Sequence, residues 1–335
     1  MSPLFDVLRR WPEGFSSALP EGPWVHDAIR HGVAPFVADS LALGGQRVPI
    51  ELVNAARGQL TTGRRHRAFT LDVIDALASD GVTPTLLKGY GLATRLYATP
   101  LSRPSVDVDL AIAPRSMPVA EQAMARLGLS LQADSALDDE LEEHHHRAWA
   151  GPRGLVELHH RLASGLGGEG LDDDDIERRL VDAELEGRRV RYLSPEDELL
   201  YLCVHAATHA FLRVSWLLDV KRFLTVMPSL DWVELVRRAQ AVSQLRSLRA
   251  ALALSERLVG ARLPDAARAA LSRFSVRATF DPLVFSEAHV ASADWASARI
   301  PSVLLHLYLT DSARLVASEL FAGAKRALRR ARSAA

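Results

Sequence analysis

Over residues 1 to about 80, apolar positions recur every three or four residues, the period of an amphipathic helix. Asp27–Leu41 shows this period. Arg64–Asp80 shows it more clearly, with Phe69, Leu71, Ile74, Leu77 and Ala78 on one side and Gly81 as a stop. The texture then changes. Val82–Lys88 is short, apolar and β-branched, as a strand is, and Gly89 opens a helical stretch over Leu92–Tyr97. After the turn-rich link Thr99–Ser105, Val106–Ile112 alternates apolar and polar positions like a half-buried strand. Pro118–Leu127 is predicted helical. His145–Ala150 and Leu155–His159 flank Gly151–Gly154 in a hairpin pattern, and a last strand is predicted over Arg188–Leu193.

Ser194-Pro-Glu-Asp-Glu198 then has the chemistry of a helix start, with a Ser N-cap, Pro at the first position and acids in the first turn. Helical periods follow near 195–210, 213–226, 231–241, 244–258 and 264–273, whereas 277–300 shows no clear period. The pattern predicts an α+β fold. An N-terminal helical segment (1–80) and a C-terminal helical domain (194–335) flank a core (81–193) of small mixed sheet and helices.

Composition narrows the class. The 335 residues are 48% hydrophobic and 24% charged, a globular balance, with a formal net charge of −1 that disfavours dedicated non-specific DNA binding. The single cysteine, Cys203, excludes an intramolecular disulfide and a cysteine-based zinc site. No signal-peptide pattern is present and no apolar run reaches the ~18 residues of a membrane span, so a soluble bacterial cytoplasmic protein with no membrane partner is expected. Of 40 basic residues only Lys88, Lys221 and Lys325 are lysines; the other 37 are arginines, as in a GC-rich genome. The acidic stretches Asp134–Glu143 and Asp172–Asp175 read as solvated loops or helix starts, and the basic residues from Lys325 to Arg332 as a solvated helix end.

Asp107 and Asp109 carry the strongest chemical signal. Positions i and i+2 of a strand face the same way, which places two carboxylates ~6.5–7 Å apart along an apolar strand. Their repulsion calls for compensation, and a hard divalent cation, Mg²⁺ or Mn²⁺, supplies it; two solvated aspartates on an edge strand are the plainer reading. Upstream, Leu86–Gly91 runs from a strand into a helix opened by Gly89, where backbone N–H groups can meet a phosphate and Lys88 can add a point charge. Arg103 and Ser105, just before the acidic strand, are further candidates for phosphate contact. Arg103 could equally pair with Asp107 or Asp109.

These residues resemble the DNA polymerase β-type nucleotidyltransferase superfamily. More closely they resemble a bacterial family of uncharacterised nucleotidyltransferases. The likeness rests on Leu87-Lys-Gly89, Arg103-Pro-Ser-Val-Asp-Val-Asp-Leu110, Val156-Glu-Leu-His159, Leu193–Leu200, Cys203–His209 and Trp216–Val220, in that order. It implies a polymerase β-like core with Asp107, Asp109 and Glu157 as catalytic metal ligands. Glu157 stands where the family usually has Asp, and Tyr90 replaces the superfamily's Ser after the glycine. The implied reaction transfers a nucleoside monophosphate from a nucleoside triphosphate, with ATP expected, to a hydroxyl acceptor of a small molecule, peptide, protein or RNA. Lys88, Gly89, Arg103 and Ser105 would meet the phosphates.

His205 and His209 lie one turn apart in the family-like helical motif, with Asp219 on the next helix. His205 and Asp219 are candidates for nucleotide contact from the cleft wall; a core His–Asp lock is the alternative. No Glu follows His205 as in a zinc protease. His144–His146 reads as a solvated hairpin start, His159 as a neighbour of Glu157 on the same face, and Trp216 as core. Two other functions fit: an inactive nucleotidyltransferase fold that binds a nucleotide or partner, and an antitoxin-like enzyme that modifies a toxin or tRNA.

Overall fold

The computed structural model describes residues 2–17, 22–132, 146–162, 174–271, 280–291, 308–312 and 317. Four helices open the chain: α1 (Pro3–Arg10), α2 (Trp24–Arg30), α3 (Ala34–Leu43) and α4 (Ile50–Ser79). The apolar period predicts only the second half of the 30-residue α4. Its first half, with Arg57, Gly58, Thr61, Thr62 and Gly63, is too polar to show a stripe and is fixed by backbone contacts instead. A Cβ on Gly63 would sit 2.6 Å from the Leu101 carbonyl oxygen, so glycine lets the link before the acidic strand lie against the helix. Gln59 Nε2 donates to the carbonyls of Gly32 and Ser102.

Seven strands form one mixed sheet in the order β3-β4-β5-β2-β1-β7-β6. They are β1 (Thr85–Leu86), β2 (Asp107–Ala111), β3 (Ser130–Leu131), β4 (His146–Gly151), β5 (Gly154–His159), β6 (Val181–Leu185) and β7 (Arg188–Tyr192). β2 runs parallel to β5 and β1 to β7; the other pairs are antiparallel. β6 was not expected from the sequence. It pairs with β7 through a two-residue turn at Glu186 and Gly187, both at positive φ (49° and 78°), the twist that suits a tight hairpin.

The period of two divides the central strands. Val108 and Leu110 of β2 and Val156 and Leu158 of β5 point into a core with Phe69, Ile74 and Leu77 of α4 and Ala120 and Met124 of α6 (Met117–Arg126). The opposite face carries Asp107, Asp109, Glu157 and His159, and α5 (Gly89–Leu96) starts beside it.

Beyond the short α7 (Asp174–Arg178), the chain continues as α8 (Pro195–Thr208), α9 (Val214–Val226), α10 (Trp232–Ala241), α11 (Leu245–Val259) and α12 (Asp265–Ala270). The Ser194 side chain accepts from the Asp197 N–H and starts α8, as the capping pattern predicts. α8 is buried almost all round. Leu4, Phe5 and Leu8 of α1 share one core with Leu199 and Val204 of α8 and Leu248 and Leu252 of α11. Buried Lys221 of α9 closes the carboxyl end of α1 by donating to the carbonyls of Leu8, Arg9 and Trp11 at 3.0, 3.1 and 2.5 Å. No described helix is long and apolar enough to cross a membrane. The acidic stretch Asp134–Glu143, His144, His145 and the basic residues from Lys325 onward lie outside the described residues.

Candidate active site

Parallel pairing sets Asp109 opposite Glu157 and Asp107 opposite Leu155, so the three acids share one face of two adjacent strands. Their carboxylate oxygens lie within 4.8 Å of one another. Asp109 is buried at 2% exposure. Its Oδ1 is 3.0 Å from Lys88 Nζ and 3.4 Å from His159 Nε2. Burial alone would raise the Asp109 pKa, but the Lys88 ammonium and the His159 hydrogen bond outweigh it and hold the carboxyl well below the usual range. Asp107 shows the opposite balance: burial and then the Asp109 charge push it up to about 6. The Lys88 pKa is raised, because the lowering effect of its burial is outweighed by Asp109, so it stays charged.

Three carboxylates against one ammonium leave a formal charge of minus two at the sheet surface. The second oxygen of Asp109, Oδ2, is buried without a hydrogen-bond partner. A buried carboxylate oxygen left unpartnered is costly, and it lies among hard oxygen donors. The residues therefore fit Mg²⁺ or Mn²⁺.

Lys88 occupies the N-cap position of α5, and Gly89 follows at φ +67°, in the left-handed region that glycine tolerates. A Cβ there would meet Ser105 Oγ at 3.1 Å. Ser105 Oγ donates to the Asp107 carbonyl at 3.2 Å, and His66 Nε2 approaches the same oxygen at 2.8 Å. The first turn of α5 is thus held against the start of β2, and Lys88 and Gly89 at its opening line a cleft of about 530 Å³. Lys88, Gly89, Arg103, Ser105, Asp107, Glu157 and His205 all line that cleft.

Arg103 lines the cleft as expected, but Asp219 lies behind its wall, and the two are paired with each other. The Arg103 guanidinium grips Asp219 with both arms, Nε to Oδ1 at 2.9 Å and Nη2 to Oδ2 at 2.7 Å, and Tyr97 donates to Oδ1 at 2.7 Å. Asp219 is 1% exposed and is not part of the cleft wall. The two residues that sequence reasoning offered to the nucleotide are committed to each other, because a fork and a carboxylate satisfy each other fully. His205 does line the cleft. It contacts Tyr201, His209 and Trp216, with ring centroids 6.1, 4.8 and 5.1 Å away. Burial, then the Lys88 charge, keeps it neutral by holding its pKa well below the ordinary value. Trp216, read as core, is half-buried in the same wall.

His146 was read as solvated. It is half-buried instead, with Nε2 3.7 Å from Glu157 Oε1. The signal that could have found it is strand register, since β4 and β5 set His146 directly opposite His159.

Two carboxylates on one strand and a third on its parallel neighbour, beside a glycine-opened helix and under a helical layer, define an α+β nucleotidyltransferase fold. The chain belongs to the uncharacterised nucleotidyltransferase family, which it matches over residues 24–260. Among solved structures it is similar to the antibiotic-resistance factor ANT(2″)-Ia, at 16% identity and a TM-score of 0.38, over 58% of this chain and 96% of that one. No curated protein matches the sequence.

Proposed function

We propose that the protein is a metal-dependent enzyme that transfers a nucleoside monophosphate from a nucleoside triphosphate, with ATP the expected donor, to a hydroxyl acceptor. The convergence of Asp107, Asp109 and Glu157 carries this reading. Had Glu157 turned away from the aspartates, an inactive binding module would be favoured.

When bound, Mg²⁺ or Mn²⁺ supplies charge neutralisation at the reacting phosphate and the departing pyrophosphate. Asp107 and Asp109 would hold the metal, with Glu157 as the third ligand. Asp109 suits this role because Lys88 holds Oδ1 at 3.0 Å and keeps the carboxyl ionised, while Oδ2, without a hydrogen-bond partner, would be available to a cation. The acceptor oxygen attacks the α-phosphorus and forms a new P–O bond, while the bond to pyrophosphate breaks. Glu157 is placed to take the proton that the acceptor loses. The first N–H groups of α5 and the Lys88 ammonium face the β- and γ-phosphates, where charge grows as pyrophosphate leaves. Ser105 supports that turn through its contact with Gly89, and the His205 wall lies where the nucleotide or acceptor extends.

The test is calorimetric titration of ATP, GTP, CTP and UTP with Mg²⁺ against the wild type, Asp107→Asn and Asp109→Asn. Transfer of labelled nucleotide in cell lysate, with mass identification of the modified species, then finds the acceptor. The wild type is expected to bind one triphosphate preferentially and transfer label, and each variant to lose transfer by at least ~10³-fold. Equal binding and turnover in all three proteins would overturn the reading.

A further inference from the structure

Glu157 belongs to two clusters. One is the triad with Asp107 and Asp109; the other joins it to His146 and His159, whose ligand atoms and a Glu157 oxygen again lie within 4.8 Å of one another. The antiparallel β4–β5 register builds this second group. It sets His146 opposite His159, and Glu157 sits two residues before His159 on the same face. Opposite Glu157 on β4 is Ala148, whose small side chain leaves the glutamate room to lean toward His146.

The distances are informative. His146 Nε2 is 3.7 Å from Glu157 Oε1, and His159 Nε2 is 3.5 Å from Oε2. Both exceed the usual range for an N–H···O hydrogen bond, ~2.7–3.2 Å, as does the 3.4 Å from His159 Nε2 to Asp109 Oδ1, a contact that a metal on Nε2 would replace while Lys88 stays on Asp109. They are close to the ~3.4 Å that separates two donors on a tetrahedral ion with bonds of ~2.0–2.1 Å. The imidazole centroids are 5.1 Å apart, so both rings face the same space. His146 and His159 also line the cleft.

We propose that His146, Glu157 and His159 form a site for a nitrogen-preferring transition-metal dication of the Zn²⁺ or Cu²⁺ class, adjoining the triad and sharing Glu157 with it. Two imidazoles and one carboxylate are a ligand set that zinc takes readily and Mg²⁺ does not favour. The site rests on the placement of Glu157 used in the proposed function but does not require nucleotide transfer. It predicts that the metal bound nearest Glu157 is chosen by histidine, whereas the aspartates take a hard ion. A cation there would also couple β4 to the reaction centre, to which that strand otherwise contributes no ligand.

The test uses the full chain loaded with Cu²⁺ alone and examined by pulsed electron paramagnetic resonance, which detects ¹⁴N of a bound imidazole. Wild type and Asp107→Asn should both show the nitrogen coupling. His146→Ala and His159→Ala should lose one imidazole each. By calorimetry, each histidine variant should weaken Zn²⁺ at least ~100-fold, and His146→Ala should leave Mg²⁺ within ~3-fold. Because His159 is buried and its alanine variant could misfold, His146→Asn, at a half-buried position, provides an independent arm. Cu²⁺ bound with oxygen coordination only, no Cu²⁺ binding, or nitrogen coupling that survives undiminished in both histidine variants would overturn the site. Absence of nucleotide transfer with the coupling intact would defeat the proposed function and leave this site standing.

Discussion

Asp107 is the carboxylate that folding without a cation penalises most. Its pKa rises from an ordinary 3.8 to about 6, so the folded chain holds a proton there more tightly than the unfolded chain does. Stability from this group is therefore present below about pH 4 and is lost as pH rises through 6. Asp107→Asn removes the penalty. The metal-free variant should be more stable than wild type at pH 7, by on the order of 2 kcal/mol, with the gain gone near pH 4. Thermal denaturation in chelator across that range tests this, and only the wild type should then gain strongly from Mg²⁺. Gly89 makes a different demand. Gly89→Ala places a Cβ at φ +67° and against Ser105 Oγ, and should cost about 1–2 kcal/mol in urea unfolding. Adding Ser105→Ala relieves the contact but leaves the backbone strain, so stability should recover only in part.

At the scale of elements, the sequence is most legible where the side-chain period does the work. The i, i+2 alternation of β2 gives its two faces directly, and the Ser194 cap gives the start of α8. Legibility fails where backbone contacts decide. The first half of α4 is held by Gly63 against Leu101 and by Gln59, neither of which leaves an apolar stripe. β6 was readable in principle, since Val181–Leu185 alternates and Glu186-Gly187 can turn tightly, but charged residues on its exposed positions mask it. Lys221 is a third case, a lysine whose meaning depends on a helix more than 200 residues away. Lys221→Met leaves the carbonyls of Leu8, Arg9 and Trp11, at and just past the end of α1, without this donor and should cost about 2–3 kcal/mol. Hydrogen exchange should locate that loss in the last turn of α1; loss spread over the sheet would contradict the capping role.

For the whole molecule, the Arg103–Asp219 pair joins the link before β2 to the helical layer and so fixes how the cleft's two walls meet. Its partners lie 116 residues apart, beyond any local pattern, which is why they read as ligands rather than as each other's counterions. Asp219→Ala strands a buried guanidinium and the Tyr97 hydroxyl and should cost about 3–5 kcal/mol by denaturant midpoint. The double variant Arg103→Met/Asp219→Leu should recover most of it. If single and double variants are equally unstable, the pair is not the coupling. The acidic triad has a consequence in time as well as in space. Asp109 and Glu157 meet only through a parallel pairing that spans the intervening α6 and β4, a contact of high order that forms late. If the triad binds Mg²⁺ as proposed, the cation site is absent until β5 docks, so added Mg²⁺ would act on unfolding and not on folding. Stopped-flow measurements should show unfolding slowed by Mg²⁺ while the refolding rate stays nearly unchanged, so that the ion governs how long the folded chain persists rather than how fast it is reached.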